Sequence, residues 1–250
     1  MIDLTEAQCV AIKRIVDWYG TGPEFVMHGY AGTGKTSLLP HAIQALGLSM
    51  NEVLFLAYTG KACRVLHGKG IPAVTIHSAL YSPVEDEDDG KVRFIYQPKP
   101  DALLAKLVVV DEASMVDGEL AEDIRRLGKP LLLVLDPAQL PPVGPGKGAF
   151  NVETPNVLLQ EIHRQAEGSS IIRLATKIRN GGRPNASDCN GNVRITSSKG
   201  LPLDDLLNAG MVLCGLNKTR VAMNAFIRKQ KGFNTCLLYT SDAADDTPCV

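Results

Sequence analysis

Residues 29–36 read Gly-Tyr-Ala-Gly-Thr-Gly-Lys-Thr and fill every position of the pattern G-x-x-x-x-G-K-[ST]. The pattern follows the apolar run Phe25-Val26-Met27 and precedes a helix-like run over 37–46, so it falls where a buried strand turns into a helix. At a helix N-terminus the first backbone N–H groups have no intrahelical partner, and the helix dipole favours negative charge. Glycine at Gly29, Gly32 and Gly34 lets the backbone close on phosphate oxygens, with Thr33 between them. Lys35 then reaches the β- and γ-phosphates as a mobile charge, and the Thr36 hydroxyl suits Mg²⁺. The competing reading is a glycine-rich turn with an exposed lysine, which leaves the strand and helix on either side as coincidence.

At 250 residues the chain has room for one large α/β domain, or one domain and part of another. A formal charge of −1 neither advertises nor excludes nucleic-acid binding, because gripping a single strand takes a local basic groove rather than a basic whole. The six cysteines include no C-x-x-C pair, so neither a zinc site nor a disulfide framework is implied. The amino terminus lacks the basic and apolar regions of a signal peptide, and no apolar stretch is long enough for a bilayer. A cytoplasmic protein without a membrane role is expected.

Short apolar runs recur at 25–27, 53–57, 107–110, 131–135 and 211–214. Their hydrophobicity is continuous rather than alternating, which marks strands buried on both faces and predicts a parallel sheet covered by helices. Over 82–100 the pattern changes to an acidic cluster followed by the alternating Lys91-Val92-Arg93-Phe94-Ile95-Tyr96; a hairpin-like insertion is expected there. Residues 180–200, rich in Gly, Asn and Ser, read as a connector before a second sheet near Met211.

The run 107–110 ends in Asp111-Glu112. A carboxylate at the carboxyl end of a parallel strand beside a phosphate loop is where Mg²⁺ needs a ligand, which assigns the metal to Asp111 together with Thr36. Glu112 is then positioned to orient and deprotonate an attacking water; a solvated acidic pair is the plainer alternative. The next run leads into Asp136-Pro137-Ala138-Gln139-Leu140-Pro141-Pro142. A neutral amide bonds both water and a γ-phosphate oxygen without repelling either, which selects Gln139. Arg164 offers a planar cation for charge on the transferring phosphoryl group, with a surface ion pair as the alternative. The candidate catalytic set is Lys35, Glu112, Gln139 and Arg164.

Taken in order, Thr5-Glu6-Ala7-Gln8, the phosphate loop, Ala57-Tyr58-Thr59-Gly60-Lys61-Ala62, Thr75-Ile76-His77, Asp111-Glu112-Ala113-Ser114-Met115, Gln139-Leu140-Pro141-Pro142 and His163-Arg164-Gln165 resemble the motifs of superfamily 1 DNA helicases of the 5′→3′, RecD-like branch (exodeoxyribonuclease V alpha subunit-like). The resemblance runs from about Leu4 to Arg228. It implies a RecA-like P-loop NTPase domain over 1–165, carrying the 82–100 insertion as a duplex-splitting hairpin with Phe94 or Tyr96 as its wedge, core packing being open for both. It further implies a connector and the start of a second RecA-like domain over 166–235. ATP and Mg²⁺ are the implied cofactors, and single-stranded DNA the implied partner, with a recombination or replication complex around the full-length parent. Gln8 would read adenine, although Thr5 and Gln8 also have the spacing of a helix capping box. Thr59, Gly60, Lys61, Thr75 and His77 would touch the DNA strand, with a packed histidine as the alternative for His77. Two positions depart from the family pattern: Tyr58 stands in place of a proline and Leu135 in place of a glycine.

Residues 236–250 resemble an in-frame translation of a transposase adapter used in sequencing libraries, and a natural acidic tail is the alternative. That reading makes the chain an amino-terminal fragment, with nucleotide binding, weak or absent hydrolysis and no processive unwinding. Two other functions stay open: an ATP-responsive single-strand binder without motor activity, and a P-loop NTPase acting on another substrate.

Overall fold

The computed structural model describes residues 4–85, 92–139, 142, 148–150, 153–160, 169–189 (no side chain at 187), 192–197 and 200–233. The chain divides into two compact units, Met1–Ser169 and Ser170–Val250.

In the first unit six strands form one parallel sheet: β1 (Glu24–Gly29), β2 (Val53–Ala57), β3 (Ala73–Thr75), β6 (Leu107–Asp111), β7 (Leu131–Leu135) and β8 (Val157–Leu159). Their order is β3-β2-β6-β7-β1-β8. Every residue of β2, β6 and β7 is buried, the continuous hydrophobicity that a sheet covered on both faces demands. Alternate residues serve opposite layers. Phe25, Met27, Phe55, Val109 and Val134 pack with α1 (Glu6–Trp18), α2 (Lys35–Ala45) and α3 (Gly60–His67). Val26, Leu54, Leu56, Val110, Leu133 and Leu135 pack on the other face with α4 (Ile76–Leu80), α5 (Pro100–Leu104), α6 (Gly118–Arg125) and Phe150.

Between α4 and α5 a separate antiparallel pair stands apart, β4 (Tyr81–Glu85) and β5 (Val92–Tyr96), with Tyr81 opposite Tyr96 and Pro83 opposite Phe94. Its base is tied to α6. The Tyr81 hydroxyl donates to Asp123 Oδ2 at 2.5 Å, the Tyr96 hydroxyl to the Asp123 carbonyl at 3.1 Å, and the Arg126 guanidinium lies 5.3 Å from the centre of the Tyr96 ring. Tyr96 is therefore part of the packing, whereas Phe94, further out on β5, is 66% exposed.

The second unit holds α7 (Ser170–Arg179), α8 (Leu203–Asn208) and α9 (Asn217–Gln230), none with a buried residue. Lys177 clasps Asp188 at 2.8 Å, and Arg194 pairs with Asp205. The strand expected at 211–214 does not form: these residues are irregular, with Met211 61% and Leu213 86% exposed. A buried strand needs neighbours for its backbone groups, and the described residues of this unit contain no other strand to pair with it. Among the described residues no helix is long and apolar enough to cross a membrane.

Candidate nucleotide site

The parallel strands end at nearly one level, because His28 pairs with Leu135, and Ala57 with both Asp111 and Thr75. The segments leaving the strand ends are therefore gathered along one edge, the place where open α/β sheets bind ligands.

β1 runs into the glycine loop, and α2 begins from Gly34, whose φ of +76° a side chain would resist. Gly29 is required for a different reason. A Cβ built on it would lie 2.7 Å from Lys35 Cγ and 2.8 Å from Thr33 Oγ1, because the Lys35 side chain folds back over it. The Lys35 ammonium donates to the carbonyls of Gly29 at 2.5 Å and Tyr30 at 3.1 Å, and lies 3.9 Å from Asp136 Oδ2. Thr33 donates its hydroxyl to the Tyr30 carbonyl at 2.8 Å. The loop thus carries its lysine against its own backbone.

At the end of β6, Asp111 is buried and accepts from the Thr36 hydroxyl at 3.3 Å and from the Glu112 N–H at 3.1 Å. Burial pushes its carboxyl above the ordinary range, opposed by those hydrogen bonds and by the charges of Lys35 and Lys69. Glu112 is also raised, first by burial and then by the Asp111 charge, with Lys35 opposing. Among the described residues Glu112 is the only non-glycine with positive φ, at +55°. That conformation costs about 1–2 kcal/mol and falls where the chain leaves β6, next to Asp111.

β7 ends in Asp136, 3% exposed, which accepts from the Ala138 N–H at 3.0 Å. Gln139 is exposed, its Oε1 3.5 Å from the Ser114 hydroxyl. Leu135 packs into the layer opposite α2, so this bulkier residue does not crowd the phosphate loop. Arg164 lies outside the described residues.

Gln8 satisfies the capping box: its backbone N–H donates to Thr5 Oγ1, and its Oε1 accepts from the Thr5 N–H at 3.0 Å. Its Nε2 also reaches the Thr33 carbonyl at 3.3 Å, so the cap of α1 is joined to the phosphate loop. Gln8, Leu4, Tyr30, Ser37 and Lys69 line a cleft of about 410 Å³ with Gly32, Gly34, Lys35 and Thr36.

Thr59 and Thr75 cap α3 and α4, accepting from the N–H groups of Ala62 at 3.1 Å and Ser78 at 3.2 Å. Gly60 opens α3, Lys61 is exposed, and the exposed His77 ring lies 5.4 Å from that of Tyr81. These five residues sit at the ends of β2 and β3, a separate part of the same edge from the glycine loop. Sequence reasoning passed over Asp136 as a site residue, although the signal that selects Asp111, a carboxylate directly after a buried strand, selects it equally. Lys69 carried no such signal.

Fold and site together define an α/β P-loop NTPase. The chain belongs to the AAA domain family, whose model matches residues 3–198. It is 29% identical to the ATP-dependent DNA helicase dda of Enterobacteria phage T4, over 91% of this chain and 57% of that protein. Among solved structures it is similar to the Pif1 helicase of Candida albicans, with 26% identity and a TM-score of 0.52 over 74% of this chain and 46% of that one. It is also similar to a Bacteroides Pif1 helicase in complex with ADP-AlF3 and ssDNA, with 21% identity and a TM-score of 0.57 over 94% and 58%. The chain therefore spans about half the length of these relatives.

Proposed function

We propose that the protein is an ATP-dependent DNA helicase of superfamily 1, in the 5′→3′ RecD-like branch, whose ATP turnover is stimulated by single-stranded DNA. The observation that carries this reading is the meeting of Lys35, Thr36, Asp111 and Glu112 around the end of β6, with Thr36 bonded to Asp111 across 75 residues of sequence. The DNA part leans on the phage relative, a DNA helicase by name. The polarity rests on the order of the motifs.

Lys35 exchanges its loop carbonyls for phosphate oxygens of ATP. A Thr hydroxyl beside an Asp carboxylate is the hard oxygen set that Mg²⁺ takes; Thr36, and Asp111 through water, would hold a magnesium ion, which would supply positive charge to the phosphates. Glu112 accepts a proton from water as that water's oxygen bonds to the γ-phosphorus. The bond from phosphorus to the β–γ bridging oxygen breaks, and its electron pair leaves with ADP. The raised pKa of Glu112 makes it a stronger base than an ordinary carboxylate. Gln139 orients the water, Arg164 adds positive charge to the transferring group, and Gln8, which lines the cleft, reads adenine.

Thr59, Gly60, Lys61, Thr75 and His77 hold the DNA strand, and Phe94, exposed on β5, serves as the wedge that splits the duplex. The test is ATP turnover of the full-length parent with and without single-stranded DNA, beside the same protein carrying Lys35→Ala. DNA raises turnover in the parent and the variant turns over nothing. Turnover indifferent to DNA refutes the helicase reading, and opening of 3′-tailed but not 5′-tailed duplexes refutes the polarity.

A further inference from the structure

The cleft at the glycine loop contains one charged residue that no motif supplies. Lys69 lines it together with Lys35, Thr36 and Ser37, yet it comes from the turn after α3, more than thirty residues along the chain. That turn is closely built. The Leu66 carbonyl accepts from both Lys69 N–H at 2.9 Å and Ile71 N–H at 3.0 Å, and Gly70 takes a φ of +76° between them, the double closure of a glycine-ended helix. A further bond joins His67 Nε2 to the Ala73 carbonyl at 2.7 Å. The backbone under Lys69 is thus held at both ends, while its side chain is exposed.

The local charge explains what such a residue would do. Lys35 shares the strand ends with three carboxylates, Asp111, Glu112 and Asp136, and lies within 3.9 Å of the last. Among the described residues at these strand ends the charges are three carboxylates to one lysine, so a further protein cation beside an entering polyanion lowers the repulsion it meets. Lys69 is near enough for its charge to act on Asp111. Its flexible four-carbon stem lets the ammonium follow a ligand.

The geometry points to Lys69 as a further protein cation, in addition to Lys35 and Arg164, for the phosphate chain of the bound nucleotide. This rests on the reading of the cleft as an ATP site and adds a residue to it. The plain alternative is a solvated lysine that compensates the C-terminal dipole of α3; it touches stability and leaves nucleotide affinity alone.

The experiment compares the parent chain with Lys69→Ala, Lys69→Arg and Lys35→Ala. Affinity is measured for ADP and for an ATP analogue with a non-hydrolysable β–γ link, and the melting temperature is measured without nucleotide. Removing a charge-assisted hydrogen bond from a partly open site costs about tenfold in affinity, ~1.4 kcal/mol. Lys69→Ala is expected to weaken both ligands by that factor, Lys69→Arg to restore most of it, and the ligand-free melting temperature to stay at the parental value. Parental affinity in Lys69→Ala, beside a parent that binds and a Lys35→Ala that does not, overturns the role of Lys69 and leaves the ATP site standing. A lowered melting temperature with unchanged affinity also overturns it, in favour of the dipole. A parent chain that binds neither ligand overturns both readings together.

Discussion

Gly29→Ala tests the site by adding one methyl group. The methyl carbon would meet Lys35 Cγ at 2.7 Å, Lys35 Cδ at 2.8 Å and Thr33 Oγ1 at 2.8 Å. Carbon atoms are in best contact at about 3.5 Å or more, so the Lys35 stem must lift by roughly 0.8 Å. The φ of Gly29 lies outside the left-handed region, and the effect is therefore steric rather than conformational. Lys35 cannot retreat by its backbone, which is the first residue of α2, and Thr33 is tied to the Tyr30 carbonyl. The displacement passes down the side chain to the ammonium, which leaves its 2.5 Å bond to the Gly29 carbonyl. Overpacking of this kind costs about 1–3 kcal/mol of stability, worth roughly 2–4 °C per kcal/mol in a chain of this size. Misplacing a positioning group by about 1 Å costs on the order of 100-fold in rate. Trp18, the sole tryptophan, is buried against Phe25 with ring centres 5.4 Å apart, so its fluorescence reports unfolding of the first unit. The expected result is a fall of several degrees in melting temperature, with a much larger loss of analogue binding and ATP turnover. Parental binding and turnover in Gly29→Ala would refute the idea that Lys35 is held by close approach to Gly29.

Glu112→Gln keeps shape and backbone conformation while removing the base; analogue affinity is expected to hold while turnover drops about 10²–10⁴-fold, and retained turnover assigns the proton to another group. Phe94→Ala, at an exposed position, is expected to leave melting within about 0.5 kcal/mol of the unsubstituted chain and, in the full-length parent, DNA-stimulated turnover unchanged while strand separation falls; unaltered unwinding removes Phe94 as the wedge. Tyr81→Phe deletes the hydroxyl bonded to Asp123 and is expected to destabilise by about 1.5–3 kcal/mol, read by thermal unfolding, and an unchanged melting temperature would show that the bond contributes nothing. Hydrogen bonds from Lys106 and Ser49 hold Glu52 at about 2, below its ordinary 4.5. Its folded value is the lower one, so its contribution is present above about 4.5 and disappears as pH falls toward 2. Glu52→Gln should shed that part of the acid decline in melting temperature, and identical pH profiles would show that the bridge to Lys106 gives no stability.

The parts of the fold legible in the sequence were those whose cause is local. Backbone approach to phosphate requires glycine whatever surrounds it, and a strand buried on both faces must be continuously apolar, so β1, β2, β6 and β7 could be read directly. β3 and β8 have three residues each, too few to show a period, and exist because a neighbouring strand offers its free edge. The apolar run at 211–214 carries the same local signal as β2, but with no partner strand among the described residues of its unit it stays irregular, with Met211 and Leu213 exposed. Phe94 and Tyr96 alternate identically in the sequence; only the position of Asp123 beneath the hairpin gives Tyr96 a hydrogen bond and leaves Phe94 outside. Of the two readings of Gln8, a helix cap and an adenine reader, the cap forms, and the other end of the carboxamide reaches the Thr33 carbonyl of the phosphate loop. Lys69 was illegible for the same reason as β3: its place beside Thr36 is created by how α3 ends, not by its neighbours in sequence.

The order of the strands also limits how ATP and DNA can communicate under the proposed function. The glycine loop follows β1, Asp111 and Glu112 follow β6, and Thr59 follows β2, the immediate neighbour of β6 through the pair Ala57 and Asp111. Adjacent strands lie about 4.8 Å apart, so Asp111 and Ala57, two residues before Thr59, are separated by one strand spacing. No long relay is required between them. A second route leaves the same strand end: the chain after Glu112 passes Ser114, bonded to Gln139, and enters α6, whose Asp123 anchors both tyrosines at the base of the hairpin. Glu112, held in a left-handed conformation at the junction of these routes, is the point where a change at the γ-phosphate can be passed to both. Under the proposed function, the bond between Tyr81 and Asp123 would couple the hairpin to the nucleotide site as well as stabilise it. In the full-length parent its loss should reduce unwinding per ATP consumed, measured at a temperature where the variant is fully folded. Equal coupling in Tyr81→Phe and the parent would leave β2 as the remaining path.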